Sequence, residues 1–481
     1  MMMNIAIAMP EIFLLSTICL ILLIDLFLRD DGRMITYLLT QVALLATALL
    51  VLTTMGSDKV LGLNDMYVRD DLGGLLKISI LLLTSISFVY ARKYLREQGL
   101  WKSEFFILAL FSVLGMLVMA SANNLLLVYL GLELLALSMY ALVAFSRDDS
   151  RATEAAMKYF VLGAIASGML LYGMSILYGI TGGKLELHAI AAYVAAHPVM
   201  QNIPLLFALV FIVGGIAFKF GAVPFHMWVP DVYQGAPTAV TLFLGSVPKV
   251  AAFAMLIRVL AESLGAAQPG WSQLLLLLGL FSVFLGNLLA IAQFNLKRMF
   301  AYSTISHMGF ILLAAMTGTM EGYSAGLFYT ITYALTAAGG FAILILLSRQ
   351  GLDAETLDDL RGLNERSPWY AFIMLLILFS MAGIPPMVGF YAKLSVIQAM
   401  IQTGYLWSSV FIVVMSVIGA FYYLRAIKMM YFDKPEIESP ISTTEVDFKV
   451  VLSANGLLML LLGLFPSTLM AICTAALVAS L

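Results

Sequence analysis

Apolar runs of about twenty residues, separated by short polar stretches, recur from one end of the chain to the other. At 1.5 Å per residue, a helix of about that length crosses the roughly 30 Å hydrocarbon core of a bilayer. Each run must be helical, because lipid offers no partner to a free backbone N–H or C=O. A β-barrel would instead show alternating segments of about ten residues. The pattern predicts spans over 5–28, 34–56, 72–92, 103–121, 123–145, 152–180, 203–229, 237–263, 271–293, 296–318, 322–348, 369–402, 405–431 and 449–475. The expected fold is therefore an all-α integral membrane protein with about fourteen transmembrane helices. The longer connections, 57–71, 181–202, 349–368 and 432–448, are too small for a separate soluble domain. The first run lacks a basic leader and carries Glu11, so it is expected to stay as a helix and not to be cleaved.

Two spans are interrupted. One reads FIVGGIAFKFGAVPFHMWVP over 211–230, with Lys219 and Pro224; the other reads FSMAGIPPMVGFYAK over 379–393, with Pro385, Pro386 and Lys393. Proline removes a backbone donor and clashes with the preceding turn. Unwound backbone at membrane depth survives only inside protein or beside a wet cavity. One broken helix in each half of a chain points to inverted repeats of the transporter kind. The expected organisation is three leading helices in 1–102, a first five-helix repeat in 103–263, a second, inverted repeat in 264–431, and a loop with a last helix in 432–481.

Composition agrees with the pattern. Of 481 residues, 62% are hydrophobic and only 11% charged, against about a quarter charged in soluble domains; the mean hydropathy is +0.99. The net charge of −2 offers no reason to expect nucleic acid as a partner. Two cysteines, Cys19 and Cys473, each inside a span, are read as small packing residues and are too few for a disulfide framework or a cysteine-ligated cluster. Basic residues set the orientation. Loops after odd-numbered spans hold 17 of them (Arg29, Arg33, Arg92, Lys93, Arg96, Lys102, Arg147, Arg151, Lys297, Arg298, Arg349, Arg361, Arg366, Arg425, Lys428, Lys434 and Lys449), and loops after even-numbered spans hold 3, Lys59, Arg69 and Lys184. An even number of crossings then places both termini on the outer, periplasmic side of a bacterial inner membrane.

Few basic residues remain for the membrane interior: Lys77, Lys158, Lys219, Lys249, Arg258 and Lys393. Lys77 and Arg258 are expected to snorkel toward an interface. Lys219, Lys249, Lys393 and the carboxylate of Glu133 fall near mid-span, where a charge costs at least about 2.5–3.5 kcal/mol. Such residues should face the bundle and find partners or water. Desolvation favours the neutral form of lysine and of glutamate, so both can exchange protons near neutral pH. A carboxylate near a lysine holds the proton, and moving it away releases the proton. Glu133 beside Lys219 would make a switchable pair, with Lys249 and Lys393 as later stations. The competing reading makes all of them satisfied ion pairs that fix helix packing. Lys158, two turns into its span, and His307, beside Ser303 and Ser306 in AYSTISHMGF, are weaker candidates. His226 follows the first break and is read as its cap, and His188 and His197 as solvated. The sequence holds no phosphate loop, dinucleotide fingerprint or metal cluster, so any driving energy must come from an ion gradient or a partner.

Four ordered segments carry a resemblance: LGLELLALSMYAL (130–142), FKFGAVPFHMWVPDVYQGAPTAVTLFLGSVPKVAAF (218–253), NLKRMFAYSTISHMGF (295–310) and MAGIPPMVGFYAKL (381–394). Together they resemble the proton-conducting, antiporter-like membrane subunits of complex I and their antiporter relatives, over nearly the whole chain. By that resemblance Glu133, Lys219, Lys249 and Lys393 match the ionisable residues of the fifth, seventh, eighth and twelfth helices. Lys393 separates the chain from members with glutamate there. The resemblance implies proton translocation coupled to electron transfer from NADH to quinone. It implies no cofactor in this chain, FMN and iron–sulfur clusters in partner subunits, and neighbouring membrane and peripheral subunits of the complex as partners. The alternatives are a subunit of a multi-subunit cation/proton antiporter or a hydrogenase of the formate-hydrogenlyase type, and a membrane scaffold with a vestigial channel.

Overall fold

The computed structural model describes residues 5–29, 32–56, 59–349, 351–435 and 445–481. Its helices are α1 Met9–Asp25, α2 Arg33–Leu52, α3 Asp71–Glu97, α4 Ser103–Ala120, α5 Leu125–Val143, α6 Ser150–Ile180, α7 Leu187–Ala196, α8 Ile203–Phe220, α9 Trp228–Gly235, α10 Thr238–Leu256, α11 Gln268–Ile291, α12 Leu296–Met316, α13 Met320–Leu347, α14 Leu363–Arg366, α15 Pro368–Ala382, α16 Val388–Gln402, α17 Leu406–Phe432, α18 Val446–Leu464 and α19 Pro466–Ser480. Among the described residues thirteen helices, some extended by 3-10 or π turns, are long and apolar enough to cross a membrane. The fourteenth crossing is the broken twelfth, whose halves α15 and α16 have 15 residues each and are singly too short. Polar caps start several spans: Asp70, Asn124, Asp149, Asn202, Asn295 and Thr319 each accept a hydrogen bond from a first-turn N–H. The only strands among the described residues are the antiparallel pair β1 Val60–Gly62 and β2 Tyr67–Arg69, in the connection between α2 and α3.

The first and last described segments meet the same connection, the one between α2 and α3. The first turn, Ile5–Ala8, packs on the β1–β2 hairpin. At the other end Lys59 Nζ donates to Ser480 O (2.7 Å) and Leu72 N to Ser480 Oγ (3.0 Å). That placement requires an even number of crossings.

The two five-helix units carry the same joints at opposite faces. In the first, Leu125 N donates to Leu185 O and Leu187 N to Asn123 O; in the second, Leu296 N donates to Glu355 O and Leu357 N to Phe294 O. Each bridge ties the start of the unit's second helix to the loop after its third, the first on the even face and the second on the odd. The opening pair of each unit also meets through glycines. A Cβ on Gly115 would sit 2.5 Å from Gly131 O, and one on Gly309 2.8 Å from Gly279 O, the close approach that small residues allow in membranes. Matching joints on opposite faces support an inverted relation.

The expected breaks are present. α8 ends at Gly221 (φ 73°) and α15 at Gly383 (φ 83°), left-handed positions that glycine adopts without a Cβ clash. Three residues after each glycine comes a proline following a cis bond, Val223–Pro224 and Pro385–Pro386. A third interruption was not expected. The span read as continuous over 449–475 is two helices, α18 and α19, parted at Phe465. Pro466 takes the first position of α19, where its missing N–H costs nothing.

Lys77 and Arg258 do not snorkel. Lys77 Nζ lies 2.7 Å from Glu11 Oε1 and donates to Tyr67 OH (3.0 Å). Arg258, on a π turn over Ile257–Ser263, is fully buried. It donates to both Asp70 oxygens (2.6 and 2.7 Å), to Glu262 (2.5 Å) and to Ala120 O. Each charge found a carboxylate from a distant part of the chain, which loop-length reasoning cannot foresee. Arg258→Ala would leave Asp70 buried without its cation, and a loss of about 3–5 kcal/mol is expected. Thermal unfolding in detergent checks this, and Arg258→Lys should restore little, having no planar fork.

Candidate functional site

Lys219 occupies the last turn of α8, immediately before the first break. Lys249 lies inside α10, only 1% exposed. Trp228 opens α9 across the break, and its indole N–H donates to the Phe218 carbonyl (3.0 Å), which also accepts the Gly221 N–H. Its ring stacks on Tyr159 and stands 5.3 Å from the Lys249 ammonium. Lys219, Lys249, Tyr159 and Trp228, with Leu132 and Pro248, line a cavity of about 20 Å³, room for one water. Among the described residues neither lysine has a hydrogen bond or a carboxylate within 4.0 Å.

The sequence reading placed Glu133 beside Lys219 as a switchable pair; the two make no ion pair within 4.0 Å. The Glu133 Oε1 is buried without a hydrogen-bond partner. The Tyr140 hydroxyl is likewise buried and unpartnered.

At the second break Lys393, in the second turn of α16, reaches back to α15. Its Nζ donates to Met381 O (3.2 Å) and Ala382 O (2.9 Å). These are carbonyls that the interruption leaves without helical donors, at the negative end of a half-helix. The ammonium also sits 5.5 Å from the Phe310 ring. His307 is close by: a cavity of about 10 Å³ is lined by His307, Tyr329, Tyr333, Ser380 and Met381. Both imidazole nitrogens meet hydroxyls, Nδ1 with Tyr329 (2.7 Å) and Nε2 with Tyr423 (3.1 Å). Tyr423 also bonds Ser303, and Tyr333 OH donates to Thr304 Oγ1 (2.7 Å).

Lys158 lies apart from this set. It is half-exposed and paired with Glu154 (2.8 Å) and Asp231 (2.9 Å), and Arg298 holds the other Asp231 oxygen. His226 follows the first break with Nδ1 unpartnered, and Ser306 does not bond His307. The tyrosines around His307 were missed in the sequence. An aromatic in an apolar span reads as packing, and the one available signal was their recurrence at 329 and 333, one helical turn apart. Lys297, taken as a loop charge, is 1% exposed.

Fourteen crossings, two helices unwound beside lysines, and lysines that share a water-sized cavity define an antiporter-like, ion-translocating membrane subunit. Known proteins agree. The family described as NADH:quinone oxidoreductase/Mrp antiporter membrane subunits matches residues 122–419. NADH-quinone oxidoreductase subunit N of Thioalkalivibrio sulfidiphilus is 56% identical, with 97% of each chain covered, and that of Thiobacillus denitrificans is 54% identical over 99% of this chain and 98% of the relative. A chain of respiratory complex I from Thermus thermophilus superposes with a TM-score of 0.81 at 32% identity, covering 96% of this chain and 98% of that one. A chain of the Mrp complex from Dietzia sp., at 19% identity, shares the fold with a TM-score of 0.85 over 98% of this chain and 97% of that one. The chain belongs to the NADH-quinone oxidoreductase subunit N branch of this antiporter-like family.

Proposed function

We propose that this membrane subunit translocates protons through Glu133, Lys219, Lys249 and Lys393, coupled to NADH–quinone electron transfer carried out by partner subunits. One observation carries the assignment. The other intramembrane cations, Lys77, Lys158 and Arg258, are satisfied by carboxylates. Lys219 and Lys249 have no such partner, and Lys393 has only two carbonyls. A charge that merely fixes packing is paired, because an unpaired buried charge is costly. A lysine left unpaired beside a water-sized space can load and release a proton. Glu133, near but not touching Lys219, acts through its field on whether that lysine keeps its proton.

In this reading the redox chemistry belongs to partner subunits, with FMN and iron–sulfur clusters there and quinone as the acceptor; the chain itself holds none of them. The basic odd face is cytoplasmic, so both termini are periplasmic in a bacterial inner membrane. Helices α4–α10 with its π turn and α11–α17 form the two repeats, and Lys158 and His307 are accessory. The test is Lys219→Ala in the purified complex reconstituted in vesicles. NADH-driven acidification, followed with a ΔpH dye, should fall on the order of a hundred-fold, the scale of losing a positioned proton carrier. Unaltered acidification by an assembled variant would reject the relay. Co-purifying flavin and iron–sulfur centres would separate this reading from that of a stand-alone antiporter.

A further inference from the structure

Helix α9, which follows the first break, has only eight residues, Trp228–Gly235. Two helical turns do not hold themselves in place, so its contacts with neighbouring helices must position it. On one side lies α6. The Trp228 ring stacks on Tyr159 with centroids 4.6 Å apart, and Lys158, beside Tyr159 in α6, donates to Asp231 Oδ2 (2.9 Å). At the end of α9 a Cβ on Gly235 would come within 2.6 Å of the Ala155 Cβ. On the other side lies α12, from the other five-helix unit. Arg298 donates to Asp231 Oδ1 (2.8 Å) and to Gln234 (3.2 Å), and Lys297 donates to Ala236 O (2.9 Å).

Asp231 thus takes one cation from each neighbour, one on each oxygen. The group is open to water. A cavity of about 170 Å³ is lined by Glu154, Lys158, Asp231 and Gln234 among others, and the Lys158 and Asp231 side chains are 44% and 32% exposed. Ion pairs so exposed add little to stability. They do fix a position: cations from two different helices leave α9 little freedom to slide or turn. One helical turn before Asp231, Trp228 touches the relay. Its indole N–H donates to Phe218 O (3.0 Å), beside Lys219. Its ring stands 5.3 Å from the Lys249 ammonium and lines the cavity that the two lysines share. A shift of α9 would carry Trp228 away from both lysines.

We infer that Asp231 is a positioning residue of the relay: gripped by Lys158 of α6 and Arg298 of α12, it holds α9 so that Trp228 stays at the Lys219–Lys249 cavity. The inference rests on Lys219 and Lys249 being proton stations. Lys158 then serves as a counter-charge to Asp231 and is not itself a station. Its surroundings fit that role. Two carboxylates lie 2.8 and 2.9 Å from its ammonium, whereas Lys219 and Lys249 stand at a water-sized cavity with no such partner. The grip also ties the first break to the other five-helix unit, because Arg298 and Lys297 both come from the first turn of α12.

The test uses the intact complex reconstituted in vesicles, with acidification normalised to NADH oxidation by an artificial acceptor. Asp231→Asn and Lys158→Met change partly exposed side chains, so both should assemble. Each should lower acidification at least about ten-fold, within what a displaced reacting group can cost. Lys158→Arg keeps the ion pair and should keep most of the pumping; a proton station would lose it, because arginine does not release its proton. Trp228→Phe loses the N–H to Phe218 O and should also lower pumping. Adding Asp231→Asn to it should cost little more, since both changes act through the same ring. Full pumping by Asp231→Asn, equal losses in Lys158→Arg and Lys158→Met, or losses that multiply in the double variant would each overturn the inference. Lys249→Arg, measured beside them, keeps the two readings apart. If it is inactive, the relay stands and only the positioning role is wrong; if it pumps fully, the relay falls and the inference with it.

Discussion

Replacing Lys249 or Lys393 by arginine should stop proton translocation nearly as completely as replacing it by alanine. Arginine keeps the charge and most of the volume but does not release its proton in a protein. At position 249 the side chain is 1% exposed, and its one cation contact is the Trp228 ring. A permanent guanidinium there would have neither a counter-charge nor a discharged state. At position 393 a guanidinium could still cap Met381 O and Ala382 O. That variant therefore separates the two roles cleanly: the cap is kept and the titration lost. Vesicle acidification should fall on the order of a hundred-fold in all four variants. NADH–quinone turnover should fall with it, because the two are coupled. Full activity in the arginine variants would show that a fixed positive charge suffices.

Glu133→Ala should lower acidification and quinone-linked turnover roughly ten-fold, the rate equivalent of about 1.4 kcal/mol, while the complex still assembles. The carboxylate makes no hydrogen bond through Oε1 and no ion pair with Lys219. Its removal thus breaks no contact between them, and thermal stability should hold or rise. A packing residue would show the opposite pattern, with stability lost and activity spared in what remains assembled. Glu133→Asp keeps the charge with one methylene less reach, so partial loss is expected; Glu133→Gln, which keeps the shape, should resemble alanine. Wild-type pumping by an assembled Glu133→Ala complex would remove this residue from the mechanism.

Much of the architecture was legible before any coordinates. Span length is a local property, set by the bilayer and by the need to satisfy every backbone group within the segment. The spans could therefore be placed, and the two breaks could be read from prolines beside a mid-span lysine, Pro224 by Lys219 and Pro385–Pro386 by Lys393. The interruption of the last span at Phe465 was missed because Pro466 can open a helix as readily as break one, and only packing decides which. Mid-span charges were equally plain, since the cost of a charge in hydrocarbon marks it wherever it stands.

Their partners were not plain. Lys77 and Lys219 are both single lysines in apolar runs, yet one meets Glu11 at 2.7 Å and the other meets no carboxylate. Arg258 reaches back 188 residues to Asp70, and Lys297 reaches forward to Glu355. Such contacts depend on which helices neighbour one another, which periodicity does not encode when a span is apolar all round. Tyr233, Tyr329, Tyr333 and Tyr423 are alike as letters. Whether a phenol is a packing ring or a proton carrier depends on what its oxygen faces. By itself, then, the sequence determined the count of crossings, the interrupted helices and which charges lie at membrane depth, because each follows from backbone and hydration costs paid locally. Only the tertiary structure decided which of those charges are neutralised and which stand beside a water-sized space, because in a low-dielectric interior that depends on atoms a few ångströms away, supplied by distant parts of the chain.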